Sequence, residues 1–372
     1  MTPEDFRHMA RAIQLARKGL YTTHPNPRVG CVLAGPEGVV GEGYHRRAGE
    51  PHAERIALTM AGARARGATA YVTLEPCCHQ GRTGPCTQAL IEAGVARVSV
   101  AMRDPNPLVA GKGMQLLRQA GISVEQGAME QAAVDLNPGF ISRMGRGRPW
   151  VRCKLAMSLD GRTAMASGES KWITGPAARL DVQRLRARSD AIVTGIGTVL
   201  ADDPSMNVRL DVDQLPGVES AAYRLQPLRI VLDPRLEMPA HAGMIRLPGK
   251  TLVVASGDPR KRRTELEQAG VEVALLPGDE GRIDLGILLE HLADRQINEV
   301  LIEAGPTLAG AALGAGLIDE LVLYAAPHIM GDGARGLFRL PGLERMEQRK
   351  ALEIVDLRMV GRDIRITARP EH

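Results

Sequence analysis

The sequence places His52-Ala53-Glu54 ahead of Pro76-Cys77 and Pro85-Cys86, and these three segments indicate both fold and chemistry. Together they supply one imidazole, two thiolates and one further carboxylate. Imidazole and thiolate groups are ligands that zinc prefers, and three of them leave the fourth position of a tetrahedral site open for water. We therefore expect His52, Cys77 and Cys86 to bind zinc, and Glu54 to stay off the metal as the catalytic general acid and base.

The order of these groups matches the signature of zinc deaminases, H-x-E followed by P-C-x-x-C, which remove an amino group from a base-like ring. The chain departs from it in one place, because eight residues separate the two cysteines where the short form has two. An extended segment of that length spans roughly 30 Å, so it can return to the metal. The alternative is a structural zinc site closed by Cys78 or His79. An apolar helical run directly after His52 favours the catalytic interpretation.

Around the motif, the residues predict alternating strands and helices, with apolar positions at helical or strand spacing. The predicted helices cover 3–19, a segment from Pro51, 87–93 and 113–120, and the predicted strands cover 29–33, 39–44, 70–74 and 98–101. The metal ligands then lie at helix N-termini that follow strand ends, where open α/β sheets place their ligands. The positive end of a helix dipole also favours thiolate and carboxylate groups.

Longer stretches of the first half carry a more specific pattern: Thr23 to Gly30, Gly43 to His45, Ala48 to Glu54, Thr73 to Thr83 and Asp104 to Pro107. They resemble the deaminase half of the bifunctional riboflavin biosynthesis deaminase/reductase family, in which the long cysteine spacing is usual. The resemblance implies that Asn26 holds the pyrimidine and that the loop from His79 to Arg82 lies near the ribose phosphate. Taken alone, the His-Pro-Asn-Pro sequence around Asn26 is equally typical of a rigid turn.

One position departs from that family. This chain has Gly84-Pro85-Cys86 where the family more often has Pro-Pro-Cys. Glycine loosens one backbone position, but the cysteine is retained, so we still expect it to bind the metal.

The boundary between two domains is predicted at a Gly/Arg/Pro stretch, Gly145 to Trp150, which follows a helical pattern from Met129 onward. At about 150 residues per domain, a chain of 372 residues predicts two domains or slightly more. We therefore assign residues 1–147 to a zinc-dependent deaminase domain and residues 150–372 to a reductase domain. Arg146 and Arg148 are interpreted as residues of a solvated connector.

In the second half, short apolar runs again alternate with amphipathic helices, which predicts another α/β sheet. The predicted strands cover 151–156, 191–195, 228–232, 251–255, 272–275, 299–302 and 321–325, and the helices cover 176–188, 285–294 and 307–315. A glycine turn with proline at the first helical position, Gly305-Pro306, can present free N–H groups to a phosphate. The motif is weak by itself, because many such turns bind nothing and G-x-G-x-x-G is absent.

Four stretches of this half carry a second resemblance: 154–162, 167–174, 197–204 and 303–308. They are similar to the reductase half of the same family, whose fold resembles dihydrofolate reductase. The resemblance implies that NADPH is bound by Ala156, Trp172, Thr198, Asp202, Gly305, Pro306, Thr307, Leu308, Ala309, Gly310 and Ala311. It implies that the sugar phosphate is held by Ser170, Arg186, Met206, Arg209 and Glu303. We add Lys154 to the substrate-binding residues.

Lys154 and Asp202 are candidates for orienting or protonating the imine that forms at C1′ of the sugar. Two alternatives remain without the resemblance. Arg186 is then a surface charge of its helix, and Lys154 a residue on an edge strand that faces water.

The expected fold is α/β, with an N-terminal cytidine-deaminase-like three-layer domain and a C-terminal dihydrofolate-reductase-like domain. The resemblance predicts an enzyme of riboflavin biosynthesis. It would deaminate 2,5-diamino-6-(5-phosphoribosylamino)pyrimidin-4(3H)-one to 5-amino-6-(5-phosphoribosylamino)uracil and then use NADPH to reduce the ribosyl to the ribityl chain. The alternative is that only one half is active.

Composition argues against other classes of protein. Lys and Arg number 47 against 43 Asp and Glu, and aromatic residues make up 3%. The sequence therefore shows neither the basic groove nor the aromatic stacking platforms that a nucleic-acid-editing deaminase needs. A non-catalytic zinc or NADPH scaffold is disfavoured because Glu54 is present. Five cysteines without regular disulfide spacing suit a reducing compartment, and no apolar stretch approaches the ~20 residues of a membrane span. We expect a cytoplasmic homo-oligomer that acts on a small molecule, with no nucleic-acid or membrane partner.

Overall fold

The structure is a computed structural model that describes residues 1–79, 84–218, 226–278 and 281–371. Its backbone contacts divide the chain into two units. The first contains Met1–Gly147 together with the described residues 211–218, and the second contains Arg148–Leu210 and the described residues from 226 onward. A short stretch from the second half of the sequence thus groups with the first unit.

The first unit is built on a five-stranded sheet in the order β2-β1-β3-β4-β5. Its elements are α1 (Pro3–Arg17), β1 (Gly30–Gly35), β2 (Gly38–Tyr44), α2 (Ala53–Ala61), β3 (Thr69–Leu74), α3 (Cys86–Glu92), β4 (Arg97–Met102), α4 (Lys112–Gln119), β5 (Ser123–Gln126), α5 (Glu130–Val134) and α6 (Pro138–Arg146). β1 runs antiparallel to β2 and β3, whereas β3, β4 and β5 are parallel. The strands and helices predicted for this half are present, and β5 is additional.

Helices cover both faces of this sheet, so the predicted three-layer domain is confirmed. On one face, the apolar core is completed by α2, α3 and α4, for example through Ala57, Leu90 and Leu117. On the other face, α1, α5 and α6 contribute residues such as Met9 and Phe140. The helix that follows His52 therefore belongs to a packed layer.

Two glycines of β2 let α2 approach the sheet closely. A Cβ atom at Gly43 would lie 2.4 Å from the carbonyl oxygen of Ala53, and one at Gly41 would lie 2.2 Å from that of Ala57. Contacts this short are sterically forbidden, so only glycine fits at either position. The close packing fixes the start of α2, where His52 is the N-cap residue.

The second unit contains a nine-stranded sheet in the order β11-β10-β9-β8-β12-β6-β13-β16-β15. Its elements are β6 (Trp150–Ser158), β7 (Arg162–Ala164), α7 (Pro176–Arg188), β8 (Ala191–Gly195), α8 (Ile196–Asp202), β9 (Leu228–Leu232), β10 (Thr251–Ala255), α9 (Arg263–Gln268), β11 (Glu272–Leu275), α10 (Leu285–Asp294), β12 (Glu299–Ile302), α11 (Pro306–Gly314), β13 (Glu320–Ala326), β14 (Arg335–Gly336), β15 (Leu352–Val360) and β16 (Asp363–Pro370). In this spatial order, each strand from β11 across to β13 is parallel to its neighbours. β16 is antiparallel to both β13 and β15, and β7 pairs separately with β14.

Both faces of this sheet are also covered. Helices α10 and α11 pack on one face through residues such as Leu292 and Ala312, and α7, α8 and α9 pack on the other through Leu185, Val199 and Leu266. The predicted α/β sheet of the second half is therefore confirmed. In the part of the chain that the structure describes, no helix has the length and hydropathy to cross a membrane.

The predicted linker, Gly145 to Trp150, is wrong in extent. Helix α6 continues through Arg146, and β6 begins at Trp150, so only residues 147–149 lie between them. Arg148 is not a solvated connector residue either. Its guanidinium donates two hydrogen bonds of 2.8 and 2.9 Å to the carboxylate of Asp319, and its side chain is only 17% exposed.

Candidate functional site

The three predicted metal ligands converge in the first unit. One ligand atom each of His52, Cys77 and Cys86 lies within 4.8 Å of the other two. His52 Nδ1 is 3.3 Å from Cys86 Sγ and 3.5 Å from Cys77 Sγ. Within the described ranges, no other three His, Cys, Asp or Glu residues converge in this way. One imidazole and two thiolates fit a zinc site that keeps one position open.

Each ligand is placed by the end of a regular element. His52 caps the N-terminus of α2, Cys86 is the first residue of α3, and Cys77 follows the end of β3. The backbone N–H of Thr87 donates to the carbonyl oxygen of Cys77 at 3.2 Å, which joins the two cysteine segments. The ligands thus lie at helix N-termini and strand ends, as the sequence predicted.

Neither of the residues that could have closed a structural zinc site joins this group. The sulfur of Cys78 lies outside it, 4.0 Å from the carbonyl oxygen of Leu108, and His79 is exposed and also outside it. The loop predicted near the ribose phosphate begins at His79, but residues 80–82 of it lie outside the described residues. The structure therefore gives no support to a closed four-ligand site.

Hydrogen bonds favour a thiolate at Cys77. The pKa of this thiol is lowered, mainly because Cys86 donates a hydrogen bond to its sulfur, and His52 adds a second one, although burial alone would raise it. The pKa of His52 is raised in turn, first by its hydrogen bond with Cys77. Since the thiolate is the metal-binding form of cysteine, Cys77 has the form that binds a metal, whereas the hydrogen bond to Cys77 raises the pKa of the Cys86 thiol.

Glu54 lies in the first turn of α2 and is only 3% exposed. Burial raises its pKa, and the neighbouring Cys77 thiolate adds to the shift. Burial and then the charge of Glu54 keep the pKa of the Cys31 thiol well above its ordinary value. Glu54 thus provides a buried carboxylate that is close to the three ligands and is not itself one of them. A general acid and base needs this arrangement.

Asn26 is connected to the ligand group through His45. Asn26 Nδ2 lies 3.0 Å from His45 Nε2, and His45 Nδ1 lies 3.2 Å from the carbonyl oxygen of Pro51. Because a carbonyl can only accept, Nδ1 carries the proton and Nε2 accepts from the Asn26 amide. Burial lowers the pKa of His45 to about 4, so the ring is neutral, and it lies edge-on to the ring of His52 at 5.3 Å. His45 belongs to the stretch Gly43 to His45 that carries the family resemblance, but no role was predicted for it from the sequence.

Glu75, in the resembling stretch Thr73 to Thr83, is a second residue for which the sequence predicted no role. Its buried carboxylate accepts backbone N–H bonds from Asp104 at 3.2 Å, Gly111 at 2.9 Å and Met114 at 3.1 Å. It lies between β3 and Cys77, so it ties the turn that carries a metal ligand to the start of α4. An acidic residue directly after a buried apolar strand is the signal that could have revealed it.

In the second unit, Glu303 and Arg186 form a tight ion pair. Arg186 Nε and Nη2 donate to the two Glu303 carboxylate oxygens at 2.6 and 2.9 Å, and each side chain is 12% exposed. Burial alone would raise the pKa of Glu303, but the charges of Arg186 and Lys154 hold it below its ordinary value. Arg186 is therefore no ordinary helix-surface charge, and that alternative is wrong.

Lys154 and Arg209 belong to the same charged group. Lys154 lies on β6, which is hydrogen-bonded to β12 and β13 in the middle of the sheet, so the edge-strand alternative is wrong. Burial lowers its pKa, and the charge of Arg186 adds to this while Glu303 opposes it. Arg209 is exposed, donates to Ser205 Oγ at 2.7 Å, and has a pKa lowered by burial and then by Arg186. Met206 is buried in the core on the α7 face.

The predicted cofactor residues outside the glycine turn are exposed or half-buried. Trp172 is 71% exposed, and the Arg179 guanidinium lies 4.7 Å from the centre of its ring. Asp202, at the end of α8, is 3.3 Å from Lys171 Nζ, so this ion pair joins α8 to the segment that carries Trp172. The remaining two, Ala156 and Thr198, are half-buried, as is Ser170, which is predicted to hold the sugar phosphate. Their contacts with a ligand stay predictions.

The glycine turn has the predicted form, with Gly305 as N-cap and Pro306 as the first residue of α11. Its residues divide by exposure: Gly305, Thr307 and Ala311 are exposed, Pro306 and Leu308 are half-buried, and Ala309 and Gly310 are buried. A Cβ atom at Gly310 would lie 2.1 Å from the carbonyl oxygen of Arg339, so this glycine is needed for packing. The exposed positions are the ones that offer surface to a cofactor.

Two family models match the chain. The family described as cytidine and deoxycytidylate deaminase zinc-binding region matches residues 2–102, and the family described as RibD C-terminal domain matches residues 149–366. Among curated proteins, riboflavin biosynthesis protein RibD of Escherichia coli K12 is 51% identical over 364 residues, covering 97% of this chain and 98% of that protein. RibD of Haemophilus influenzae is 47% identical over 371 residues, covering 99% and 98%.

Solved structures show similarity to the same kind of protein. Form 1 of Acinetobacter baumannii RibD superposes with a TM-score of 0.91 at 48% identity, covering 99% of both chains. A Thermotoga maritima protein, described as a diaminohydroxyphosphoribosylaminopyrimidine deaminase/5-amino-6-(5-phosphoribosylamino)uracil reductase, has a TM-score of 0.84 at 31% identity, with 99% of both chains covered. The chain therefore belongs to the RibD family of riboflavin biosynthesis proteins, which joins a zinc-binding deaminase domain to a reductase domain.

Proposed function

We propose that residues 1–147 deaminate 2,5-diamino-6-(5-phosphoribosylamino)pyrimidin-4(3H)-one and that residues 150–372 reduce the ribosyl chain of the product with NADPH. The product of the first step is 5-amino-6-(5-phosphoribosylamino)uracil. The observation that carries the proposal is the convergence of His52, Cys77 and Cys86 beside the buried carboxylate of Glu54. Similarity over nearly the whole chain to the Thermotoga maritima deaminase/reductase supports the substrate.

His52, Cys77 and Cys86 would hold zinc, which when bound lowers the pKa of water and so supplies a nucleophile at neutral pH. Glu54 would take a proton from that water and deliver it to the ring nitrogen beside the amino-bearing carbon. The oxygen of that water would bond to this carbon, and Glu54 would then pass the proton of the new hydroxyl group to the amino group. The C–N bond would break, ammonia would leave, and a carbonyl group would remain on the ring. Acid and base catalysis by one positioned carboxylate contributes typically about 10²–10⁴-fold to the rate. Asn26 and the neutral His45 ring would orient the pyrimidine.

In the second unit, Arg209 is the exposed guanidinium best suited to a sugar phosphate, because Arg186 is engaged by Glu303. Ser170 and Met206 are the other predicted contacts of the sugar. Lys154 would orient or protonate the imine nitrogen after the ribosylamine ring opens. NADPH supplies the hydride for C1′ when it is bound.

The surface proposed for NADPH combines the exposed start of α11 with Trp172, which precedes α7, and with two residues of α8. Free N–H groups at the N-terminus of a helix suit the phosphates of a dinucleotide. Trp172 offers an exposed aromatic face, and Asp202 and Thr198 lie on α8. Ala156 lies on the central strand β6, two residues from Lys154, so a nicotinamide ring there would be close to the proposed site of reduction.

Paired variants test this division of labour. Glu54→Gln should abolish ammonia release while the protein still binds zinc and still consumes NADPH when given the deaminated uracil substrate. Lys154→Met should show the reverse, with ammonia released and NADPH consumption lost. Loss of zinc from Glu54→Gln would mean that a ligand is misassigned, and ammonia release by this variant would refute the role of Glu54.

We further propose that the enzyme acts in the cytoplasm as a homo-oligomer, with no nucleic-acid or membrane partner. None of the five cysteines forms a disulfide, which supports a reducing compartment. Nearly balanced charge, +4 in total, supports a small-molecule substrate rather than a nucleic acid. Light scattering on the purified protein tests the oligomeric state, and a mass equal to one chain would contradict it.

A further inference from the structure

Arg55 connects the helix that carries His52 and Glu54 to the segment that carries Cys86. Its Nε lies 3.2 Å from the carbonyl oxygen of Gly84, and its Nη2 lies 3.4 Å from that of Pro85. These are the two residues immediately before Cys86. One guanidinium therefore links α2 to the backbone that leads directly into a predicted metal ligand.

Gly84 leaves the space that this guanidinium occupies. A Cβ atom at position 84 would lie 2.9 Å from Arg55 Nη2, closer than real Cβ atoms lie to their neighbours. Any other residue at 84 would therefore displace the end of the Arg55 side chain. Proline, more frequent at this position in the family, would restrain the backbone directly. In this chain the restraint comes instead from two hydrogen bonds donated by Arg55.

Cys86 needs such a restraint because the chain does not place it by proximity to Cys77. Eight residues separate the two cysteines, whereas the short P-C-x-x-C form brings both to one helical turn. His52 is the N-cap residue of α2 and Arg55 lies in its first turn, and β2 fixes the position of that helix. Anchoring the Gly84 and Pro85 carbonyls to α2 therefore fixes Cys86 relative to His52.

We propose that Arg55 is a positioning residue that holds Cys86 in place as a zinc ligand, and that Gly84 is the residue that makes room for it. The proposal rests on the proposed function, in which His52, Cys77 and Cys86 bind zinc. Residues that orient metal ligands typically contribute about 10–100-fold to metal affinity. Arg55→Ala should weaken zinc binding by an amount in this range.

Zinc affinity of the full-length protein, measured by competition with a chelator, tests the proposal. Arg64→Ala is the matched control, because Arg64 also donates to two backbone carbonyls, Val40 at 3.1 Å and Ala61 at 3.4 Å, neither of which belongs to a segment that carries a cysteine ligand. Arg64→Ala should bind zinc as tightly as the wild type. Arg55→Lys keeps the charge but loses the planar fork of donors, so it should also bind zinc more weakly.

Gly84→Ala provides a second route, because its methyl group displaces the guanidinium while Arg55 itself is unchanged. It should weaken zinc binding in the wild type and have little additional effect in Arg55→Ala, which a double-mutant cycle measures. Cobalt bound in place of zinc gives a thiolate absorption band that should weaken in the same variants. If Arg55→Ala does not fold, Arg55→Lys and Gly84→Ala carry the test.

Wild-type zinc affinity in Arg55→Lys and Gly84→Ala would overturn the proposal, and so would an equal loss in Arg64→Ala. Failure of the wild type itself to bind zinc through His52, Cys77 and Cys86 is a different outcome. It would refute the ligand assignment and not the role of Arg55 alone.

Discussion

Replacing Glu75 by glutamine should loosen the turn that carries Cys77. Oε2 of Glu75 accepts from the N–H groups of Asp104 and Gly111, and Oε1 accepts from that of Met114. Hydrogen bonds to a charged group contribute about 1.5–3 kcal/mol each, against about 1 kcal/mol for neutral partners. An amide keeps two of the bonds at neutral strength and turns its NH2 group toward the remaining donor. We therefore expect the free energy of unfolding to fall by about 3 kcal/mol.

Chemical denaturation of the full-length protein at neutral pH, with and without zinc, measures this loss, and zinc affinity should fall with it. Glu92→Gln is the control, because Glu92 is exposed on α3 and accepts a hydrogen bond from Gln88 Nε2, one turn away. It should change stability by no more than about 0.5 kcal/mol. Equal stability of the Glu75→Gln and Glu92→Gln variants would refute the reasoning.

Two further substitutions test the electrostatics of the units. Asp5 is 2% exposed, and its pKa is lowered mainly by a hydrogen bond from Arg97, with Tyr71 also donating to it. A lowered folded pKa means that the carboxylate stabilises the fold above its unfolded pKa, and this stabilisation is lost as the pH falls from there through the folded pKa. Asp5→Asn should thus cost about 1.5–3 kcal/mol at pH 7, and unfolding curves should show a smaller difference at pH 3. Arg209→Ala should weaken binding of the phosphoribosylaminouracil by about 1.5–3 kcal/mol, seen as a raised KM; an unchanged KM would remove Arg209 from the site.

Local patterns were enough to predict the elements that carry the metal ligands. Helical spacing, apolar runs and turn residues depend on neighbouring positions, so α2, β3 and α3 could be placed from sequence within a residue or two. The ligand group followed, because His52, Cys77 and Cys86 lie at the ends of those elements. The sequence gives a weaker signal for β5, whose four residues are exposed or half-buried, and for β15, most of which is exposed.

Contacts between distant residues could not be predicted in this way. Arg148 has the local setting of a linker residue, but its partner Asp319 lies 171 positions further along the chain. Arg186 resembles other arginines of α7 until Glu303 is brought against it by the fold. The grouping of residues 211–218 with the first unit has the same origin, because tertiary contacts and not local composition decide it.

Ammonia release and NADPH oxidation, recorded separately in one reaction, test the two-step activity most directly. The zinc-loaded full-length protein is first incubated with 2,5-diamino-6-(5-phosphoribosylamino)pyrimidin-4(3H)-one without NADPH, and NADPH is then added. We predict that ammonia is released in the first stage and that NADPH is oxidised only after deamination has taken place. Two results would contradict this order of reactions. One is that no ammonia is released in the first stage, and the other is that NADPH, once added, is oxidised before any ammonia has appeared.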